Sequence, residues 1–331
     1  MVWLDIMITL LTLEVMSYFF YGIRIVIMSG MCIAAFAAAE FISLRLMHRK
    51  FTADDLSCTS DALIIALMMP ACIDMKLPVL ACIFAAVAAK NVFGGRRNMI
   101  FSPAAAAYLF LFTSWRNDLL SYPQPHVKPE LFGKTADLVN SASYTYNTSG
   151  TMSATDYEIL FGNFSGPVGA VSILLLAVSA VILILRKDIS AGAFVGTITG
   201  TSVVAYLCPI AATGAASVKF ALVTNMVLFA GIYIISDVRT APTGSYHAFF
   251  YGFFVSAAAC IVAITTGREN MIVIMSVLFT PLALAFRNFE KRIRLIDITS
   301  ARAKTNAEQT VSAAAEAETD IREGDAEVEE Q

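Results

Sequence analysis

The sequence predicts an all-α polytopic membrane protein with about ten transmembrane segments. Of its 331 residues, 57% are hydrophobic and 15% are charged, and the mean hydropathy is +0.69. Soluble globular chains are less apolar and carry more charge. Ten apolar stretches are the second observation, and their division by one long polar excursion at residues 115–165 is the third.

A helix needs roughly 20 apolar residues to cross a bilayer. Eight stretches approach that length, at 4–22, 24–46, 74–91, 166–186, 190–208, 217–237, 244–266 and 270–287. Two are short, at 60–72 and 102–114, beside Pro70 and Pro103. A segment too short to cross alone is expected to be broken, tilted or re-entrant, and to be lined by protein instead of lipid.

The polar excursion separates a first membrane half, residues 1–114, from a second, residues 166–294. Each half holds five segments, so the second would enter the membrane from the opposite side. We therefore predict two five-helix inverted repeats with broken helices. Residues 295–331 are Ala-rich and acidic, and we expect them to form a disordered tail.

Lysine and arginine in the short connections predict the orientation. If the N-terminus is cytoplasmic, thirteen of these residues fall on the inner side and four fall in the short outer loops, namely Arg24, Lys76, Lys219 and Arg268. The positive-inside rule favours that arrangement. Both termini are then cytoplasmic, and the 115–165 loop is extracytoplasmic.

The charge, the cysteines and the absence of certain motifs argue against several kinds of binding site. The net charge is −3, and no basic patch interleaved with aromatic residues predicts nucleic-acid binding. The six cysteines include no CxxC pair, which argues against a metal or iron–sulfur site within this chain. No glycine-rich loop of the Rossmann or Walker form is present, so no nucleotide site and no catalytic residue is predicted.

Two helix breaks occupy corresponding places in the two halves. The first contains Gly94, Gly95, Asn98, Ser102 and Pro103, and the second contains Ser236, Asp237, Thr240 and Pro242. Proline near a helix start and hydroxyl or carboxyl groups at caps are typical of half-helices whose free N–H groups face a buried ligand. Ordinary loops between transmembrane segments would contain the same types of residue.

Acidic residues in or beside the spans need an explanation, because a charge at the bilayer centre costs about 3 kcal/mol or more. Glu14, Asp61 and Asp237 are candidates for ion coupling. Asp5 and Glu40 fall near helix ends, where solvation or pairing with Arg45 would account for them.

Thr155 offers a hydroxyl among small residues, Ser153 and Ala154, just before the chain re-enters the membrane. An accessible hydroxyl is a possible attachment point. Thr155-Asp-Tyr-Glu158 also has the form of a capping box at a helix start. Spacing alone favours the cap.

The order and spacing of these motifs resemble those of the D subunit of the Rnf electron-transport complexes. The B subunit of the sodium-pumping NADH:quinone oxidoreductase is a more distant relative. The resemblance runs from about residue 4 to about 294. It is carried by Asp61–Pro70, Gly94-Gly95, Phe101–Ala104, Ser236-Asp237 and Thr240–Thr243.

In that family, a threonine in a pattern like Asp-Gly-x-Ser-Gly-Ala-Thr carries FMN through a phosphoester bond. The corresponding stretch here is Ser149–Thr155, in which Gly150, Ala154 and Thr155 agree with the pattern and Ser149, Met152 and Ser153 depart from it. The resemblance thus implies covalent FMN on Thr155, attached by a flavin transferase.

The resemblance also implies a second, non-covalent flavin such as riboflavin on the inner side. The two breaks supply its candidate lining, which is Gly94, Gly95, Asn98, Ser102, Asp237 and Thr240. By the same resemblance, the chain would relay electrons within an Rnf-type complex of the prokaryotic cytoplasmic membrane. That complex would couple ferredoxin and NAD chemistry to Na⁺ or H⁺ transport, and iron–sulfur and NAD-binding partner subunits would handle ferredoxin and NAD.

The residues alone are also compatible with a different class of function. A repeated five-helix unit with broken helices is also a plan for solute channels and secondary transporters.

Overall fold

The computed structural model describes residues 2–48, 58–93, 95, 99–127, 129, 138–152 and 154–294. The chain divides into two compact units, Met1–Leu284 and Ala285–Gln331. Residues 285–294 of the second unit are helical, and the predicted tail at 295–331 lies outside the described residues. Every candidate site residue belongs to the first unit.

The predicted first half consists of helices. They are α1 (Val2–Tyr21), α2 (Ile23–Leu46), α3 (Cys58–Leu67), α4 (Lys76–Phe84) and α5 (Pro103–Ser114). α4 continues as a π-helical segment, Ala85–Asn91. α5 starts where the sequence predicts, because Ser102 is extended and Pro103 at the first helical position already has a helix-compatible φ.

The short helix α3 is enclosed by protein. Every side chain from Ser60 to Ala71 is buried, and α3 contacts α1, α2 and α5. Helix α1 instead exposes Ile8, Leu11, Val15 and Phe19 along one face, as expected for a lipid-facing surface. The prediction that segment 60–72 is lined by protein instead of lipid is therefore confirmed.

The polar excursion is folded around short elements. These are α6 (Arg116–Leu119), the antiparallel strands β1 (Tyr122–Pro123) and β2 (Leu138–Val139), α7 (Ala142–Ser149) and α8 (Asp156–Phe161). α7 ends at Gly150, which has φ 70°. A Cβ there would lie 2.2 Å from the Ile210 carbonyl oxygen, so both the backbone conformation and the close approach require glycine.

The predicted second half contains α9 (Ile173–Leu185), α10 (Ala191–Leu207), α11 (Gly214–Val223), α12 (Val227–Ala230), α13 (Ser245–Thr266) and α14 (Met271–Leu278). α12 continues as a π-helical segment, Gly231–Ile235. The stretch predicted as one span at 217–237 is broken, because α11 and Val227–Ile235 meet at 60°. Asn225 and Met226 adopt left-handed φ values of 56° and 59° at this break.

Within the described residues, three helices are long and apolar enough to cross a membrane: Trp3–Tyr21, Ile23–Leu46 and Ser245–Thr266. The number reaches five if two bent pairs each count as one span: Gly214–Val223 with Val227–Ile235, and Met271–Leu278 with Thr280–Arg294. Further apolar helices are shorter, at 10–17 residues. The all-α polytopic class with broken helices is confirmed, whereas the five-plus-five inverted repeat stays a prediction.

Helices α10 and α13 pack closely through glycines spaced four residues apart. Gly192, Gly196 and Gly200 lie on one face of α10. A Cβ on Gly196 would lie 2.1 Å from the Phe249 carbonyl oxygen, and one on Gly252 would lie 2.2 Å from that of Ala193. Small residues at this spacing let two helix backbones approach each other, as in membrane helix pairs.

Candidate functional site

A cluster of one half-buried arginine and two buried aspartates joins α3 to the turn that follows residue 235. Arg239 Nη2 lies 2.6 Å from Asp61 Oδ1, and Nη1 lies 3.1 Å from Asp61 Oδ2. Arg239 Nε lies 3.0 Å and 2.9 Å from the two carboxylate oxygens of Asp237. Asp61 is 1% exposed and Asp237 is 6% exposed. The cluster thus brings together two predicted ion-coupling residues that are far apart in sequence.

The turn itself explains why Asp237 and Arg239 act together. The backbone N–H groups of Thr240 and Ala241 donate to the Asp237 carbonyl at 3.0 Å and 2.8 Å, and the Arg239 N–H donates to the Asp237 carboxylate at 2.9 Å. The Ser190 N–H donates to the Ser236 carbonyl at 2.9 Å, which ties the turn to the start of α10. The tight turn therefore holds Asp237 next to Arg239, and Arg239 reaches Asp61 of α3.

One guanidinium serves two carboxylates, so the formal charge of the cluster is −1. Bidentate arginine–carboxylate pairs are among the stronger polar contacts in proteins. Removing one member of a buried pair strands an uncompensated charge. The excess negative charge could bind a cation or a proton, which suits ion coupling at Asp61 and Asp237.

Glu14 does not join this cluster. It lies on α1 and is buried, with 8% of its surface exposed, but it takes no part in the ion pairs of Arg239. Its role in ion coupling stays a prediction.

A small, partly open pocket brings together residues from both predicted breaks. Ser102 lies before α5, and Thr240 follows the π-helical segment; both line the pocket. Hydroxyls of Ser276 and Thr280 add to its polar lining, and Tyr251 supplies an aromatic ring. Asp237 is in the same turn as Thr240, so the ion-pair cluster adjoins this pocket.

Other predicted lining residues are not placed in the pocket. Gly95 is half-buried, has φ 77° and donates its N–H to the Lys90 carbonyl at 3.1 Å. It does not contribute to the lining. Gly94 and Asn98 lie outside the described residues, as does Ser153 near Thr155.

A second buried ion pair corrects the prediction for Glu40. Lys90 Nζ lies 2.9 Å from Glu40 Oε1, and each side chain is only 1% exposed. Asn91 Nδ2 donates to Glu40 Oε2 at 3.3 Å. Glu40 is therefore buried and paired with Lys90, because the π-helical segment after α4 brings Lys90 to it. Asp5 pairs with Arg186 at 3.0 Å instead of the predicted Arg45.

Thr155 stands at the start of α8 with an exposed side chain. Its backbone N–H and its Oγ1 each donate to Glu158 Oε2 at 2.8 Å. These two hydrogen bonds lower the pKa of Glu158, with the backbone bond the larger cause. The capping interaction is therefore confirmed, and the hydroxyl remains accessible from solvent.

The surroundings of Thr155 anchor it on both sides. Ala154 and Met152 pack against the small cluster of Ala142, Phe164 and Val171. Asp156, the next residue, pairs with Lys219 of α11 at 2.6 Å. Thr155 is thus an exposed group on a short helix whose two flanks are held in place.

Sequence reasoning missed Arg239 as a site residue and counted it only as an inner-side charge. Two buried aspartates in an apolar chain require a counter-ion, and that requirement was the available signal. Which arginine would serve could not be predicted, since Asp61 and Arg239 are 178 residues apart.

Comparison with known proteins identifies the family. The family model described as the NQR2, RnfD, RnfE family matches residues 1–287. The D subunit of the ion-translocating oxidoreductase complex from Shewanella frigidimarina is 32% identical over 114 residues, which is 34% of this chain and 33% of that protein. The protein of the same name from Psychromonas ingrahamii is 32% identical over 108 residues, which is 32% of this chain and 31% of the relative.

The corresponding protein from Shewanella sediminis is 27% identical over a longer stretch of 149 residues, 44% of this chain and 42% of the relative. The chain thus spans about a third to two fifths of the length of these relatives. The family model covers most of the chain, in agreement with the resemblance carried by the two breaks. The chain belongs to the NQR2, RnfD, RnfE family.

Proposed function

We propose that this chain is a membrane flavoprotein subunit of an Rnf-type ion-translocating complex. It would carry FMN on Thr155 and relay electrons between partner subunits that bind iron–sulfur clusters and NAD. The complex would couple ferredoxin and NAD chemistry to Na⁺ or H⁺ transport across a prokaryotic cytoplasmic membrane. The observation that carries this proposal is the exposed, anchored hydroxyl of Thr155 in a member of this family.

The residues around Thr155 fit a phosphoester attachment. The hydroxyl is exposed, as a flavin transferase requires. Glu158 accepts the hydroxyl hydrogen of Thr155, and its hydrogen bonds from Thr155 lower its pKa. The hydrogen bond from the hydroxyl orients the oxygen and increases its nucleophilicity toward an activated FMN phosphoryl group. On attachment, the Thr155 oxygen would bond to phosphorus, the phosphoanhydride bond of the activated flavin donor would break and release the rest of that donor, and Glu158 would take up the hydroxyl proton. The Thr155 N–H could keep its bond to Glu158.

The hydroxyl-lined pocket offers polar groups that could contact part of a flavin. Ser102, Thr240, Ser276 and Thr280 could donate to and accept from the polar edge of the ring system. The pocket is too small to enclose a flavin ring system by itself, so residues outside this lining would have to complete a site for riboflavin. A bound flavin supplies one- and two-electron transfer, and the chain supplies its position and electrostatic surroundings.

The charges beside the pocket support ion coupling. Asp61, Asp237 and Arg239 form a buried site with one excess negative charge, adjacent to the proposed flavin. A change in charge on a nearby flavin would alter the affinity of such a site for a cation or proton. We propose Asp61 and Asp237, with Glu14 on α1, as the residues that link electron transfer to ion movement.

In-gel fluorescence of the purified chain, coexpressed with its flavin transferase, tests the attachment. The denatured wild-type band should fluoresce, and Thr155→Ala should abolish the fluorescence. Thr151→Ala is the matched control, because Thr151 is an exposed threonine in the same loop whose hydroxyl bonds to that of Ser149 at 2.8 Å. A fluorescent Thr155→Ala band would show that Thr155 is not the attachment site.

The non-covalent flavin requires a separate measurement. Combined Ser102→Ala and Thr240→Ala substitutions should lower the flavin released on denaturation without changing in-gel fluorescence. Ser256→Ala, in a different pocket, should leave both unchanged. If released flavin is unaffected by the double substitution, this pocket is not the site. A colourless protein that supports a solute flux would instead favour a transporter.

Ion coupling is tested in vesicles that hold the whole complex. Asp61→Asn and Asp237→Asn should each lower the ion gradient formed per electron transferred, and Glu14→Gln should do the same if it shares the role. Asp5→Asn, which alters a partly exposed ion pair, is the control. An unchanged ratio in Asp61→Asn and Asp237→Asn would exclude the cluster from coupling.

A further inference from the structure

A buried carboxyl lies at the end of the molecule that carries the polar excursion. Glu269 belongs to the connection between α13 and α14 and is only 2% exposed. The next residue, Asn270, is fully buried and has a left-handed φ of 59°. This short connection therefore holds two polar side chains away from water.

The buried carboxyl is held by a serine of the excursion. Ser141, which is fully buried, donates its hydroxyl hydrogen to Glu269 Oε2. The same Ser141 Oγ accepts from the Tyr144 N–H at 2.9 Å and so caps α7. Ser141 therefore connects Glu269 to the helix that leads toward Thr155.

Glu269 has no cationic side chain in ion-pair contact within the described part of the chain. The groups that face it are neutral or distant: Tyr108 of α5 and Tyr122 of β1 nearby, and Arg116 of α6 at longer range. A buried carboxylate without an ion pair is costly, and protonation removes that cost.

The neighbouring amide has an unused acceptor. Asn270 Nδ2 donates to the hydroxyls of Tyr108 and Tyr122 at 3.0 Å and 3.2 Å. Its Oδ1 is buried and has no donor among the described residues. The residue that follows Glu269 in the chain thus keeps a buried acceptor without a donor among the described residues, and such a group requires an explanation.

We propose that Glu269 is a proton-binding site, at which one carboxyl oxygen takes up a proton from the aqueous phase at the excursion end of the molecule. One Oε gains the hydrogen and the carboxyl becomes neutral, while Oε2 continues to accept from Ser141. Asn140, the residue before Ser141 in the chain, is exposed, so the backbone that carries Ser141 reaches the surface at the preceding residue. The proton returns to water by the same route.

The surroundings of the carboxyl agree with this geometry. Burial raises the pKa of Glu269 to about 7, and the Ser141 hydrogen bond and the charge of Arg116 offset only part of that rise. The carboxyl would therefore exchange its proton near neutral pH. This proposal does not depend on flavin attachment at Thr155.

Infrared difference spectroscopy of the full-length chain in lipid nanodiscs tests the proposal. Titration from about pH 4 to 9 should show a protonated-carboxyl band with a midpoint near 7, and Glu269→Gln should remove it. Glu158→Gln is the matched control, because Glu158 also accepts from a hydroxyl but has a lowered pKa. The band should persist in that variant.

Ser141→Ala keeps the test decisive if Glu269→Gln does not fold. Loss of the hydroxyl that stabilises the carboxylate should move the midpoint to higher pH. A midpoint at the ordinary glutamate value, or a neutral-range band that survives Glu269→Gln, would overturn the proposal. A midpoint that falls when Na⁺ replaces K⁺ would assign the site to sodium and would also overturn it.

Discussion

Replacing Arg239 by glutamine should destabilise the protein more than replacing either of its aspartate partners. Arg239 is the only described cation in ion-pair contact with Asp61 and Asp237, which are 1% and 6% exposed. Its removal leaves two buried carboxylates uncompensated. Breaking a buried pair in this way costs about 3 to 5 kcal/mol.

Asp61→Asn has a smaller expected cost. It removes one charge but leaves the Arg239–Asp237 pair at 2.8 Å, and the amide oxygen can still accept from Arg239. The loss of one charge-assisted contact corresponds to about 1 to 3 kcal/mol. Arg186→Gln is the matched control, because Arg186 is 60% exposed where it pairs with Asp5 and exposed pairs contribute at most about 1 kcal/mol.

Unfolding of each purified variant in the same detergent measures this order. The predicted ranking of destabilisation is Arg239→Gln first, Asp61→Asn second and Arg186→Gln last. Adding Asp61→Asn and Asp237→Asn to Arg239→Gln should recover part of the lost stability, because it removes the stranded charges. If Arg239→Gln is no more destabilising than Arg186→Gln, the electrostatic account of the cluster is wrong.

Two further predictions concern packing and pH. Gly196→Ala should cost about 1 to 3 kcal/mol because its Cβ would overlap the Phe249 carbonyl. Gly30→Ala lies at an exposed position of α2, where nothing is within 4 Å of the added Cβ, and should instead stabilise by up to about 1 kcal/mol. Equal effects of the two substitutions in unfolding measurements would refute the packing argument. The raised pKa of Glu269 means that the folded chain binds this proton more tightly than the unfolded chain, so stability is full below pH 4.5 and falls as the pH rises through about 7. The loss is at most about 3 kcal/mol, and a Glu269→Gln variant that keeps the wild-type pH slope would contradict it.

The sequence predicted much of the fold because apolar length and charge placement are local properties. Short stretches beside Pro70 and Pro103 became short helices, and Ser102-Pro103 became a helix start. The break at residues 224–226 inside a continuous apolar stretch was missed, because left-handed Asn225 and Met226 carry no strong local signal. The π-helical segments after α4 and α12 were missed for the same reason.

The candidate sites likewise divide into those formed by residues close in sequence and those formed by residues far apart. Thr155 and its capping partner Glu158 lie three residues apart, so both roles of the hydroxyl could be proposed from spacing and resemblance. The Arg239 cluster and the Glu269–Ser141 pair join residues separated by 178 and 128 positions. Such contacts depend on how helices pack, which no local pattern specifies.

Mass spectrometry of the peptide that contains Thr155 tests the central claim most directly. After coexpression with the flavin transferase, the peptide should carry the added mass of FMN, and fragmentation should place it on Thr155. The same peptide from Thr155→Ala should be unmodified, whereas Thr151→Ala should retain the addition. An unmodified wild-type peptide, or FMN on another residue, would contradict the proposed role of Thr155.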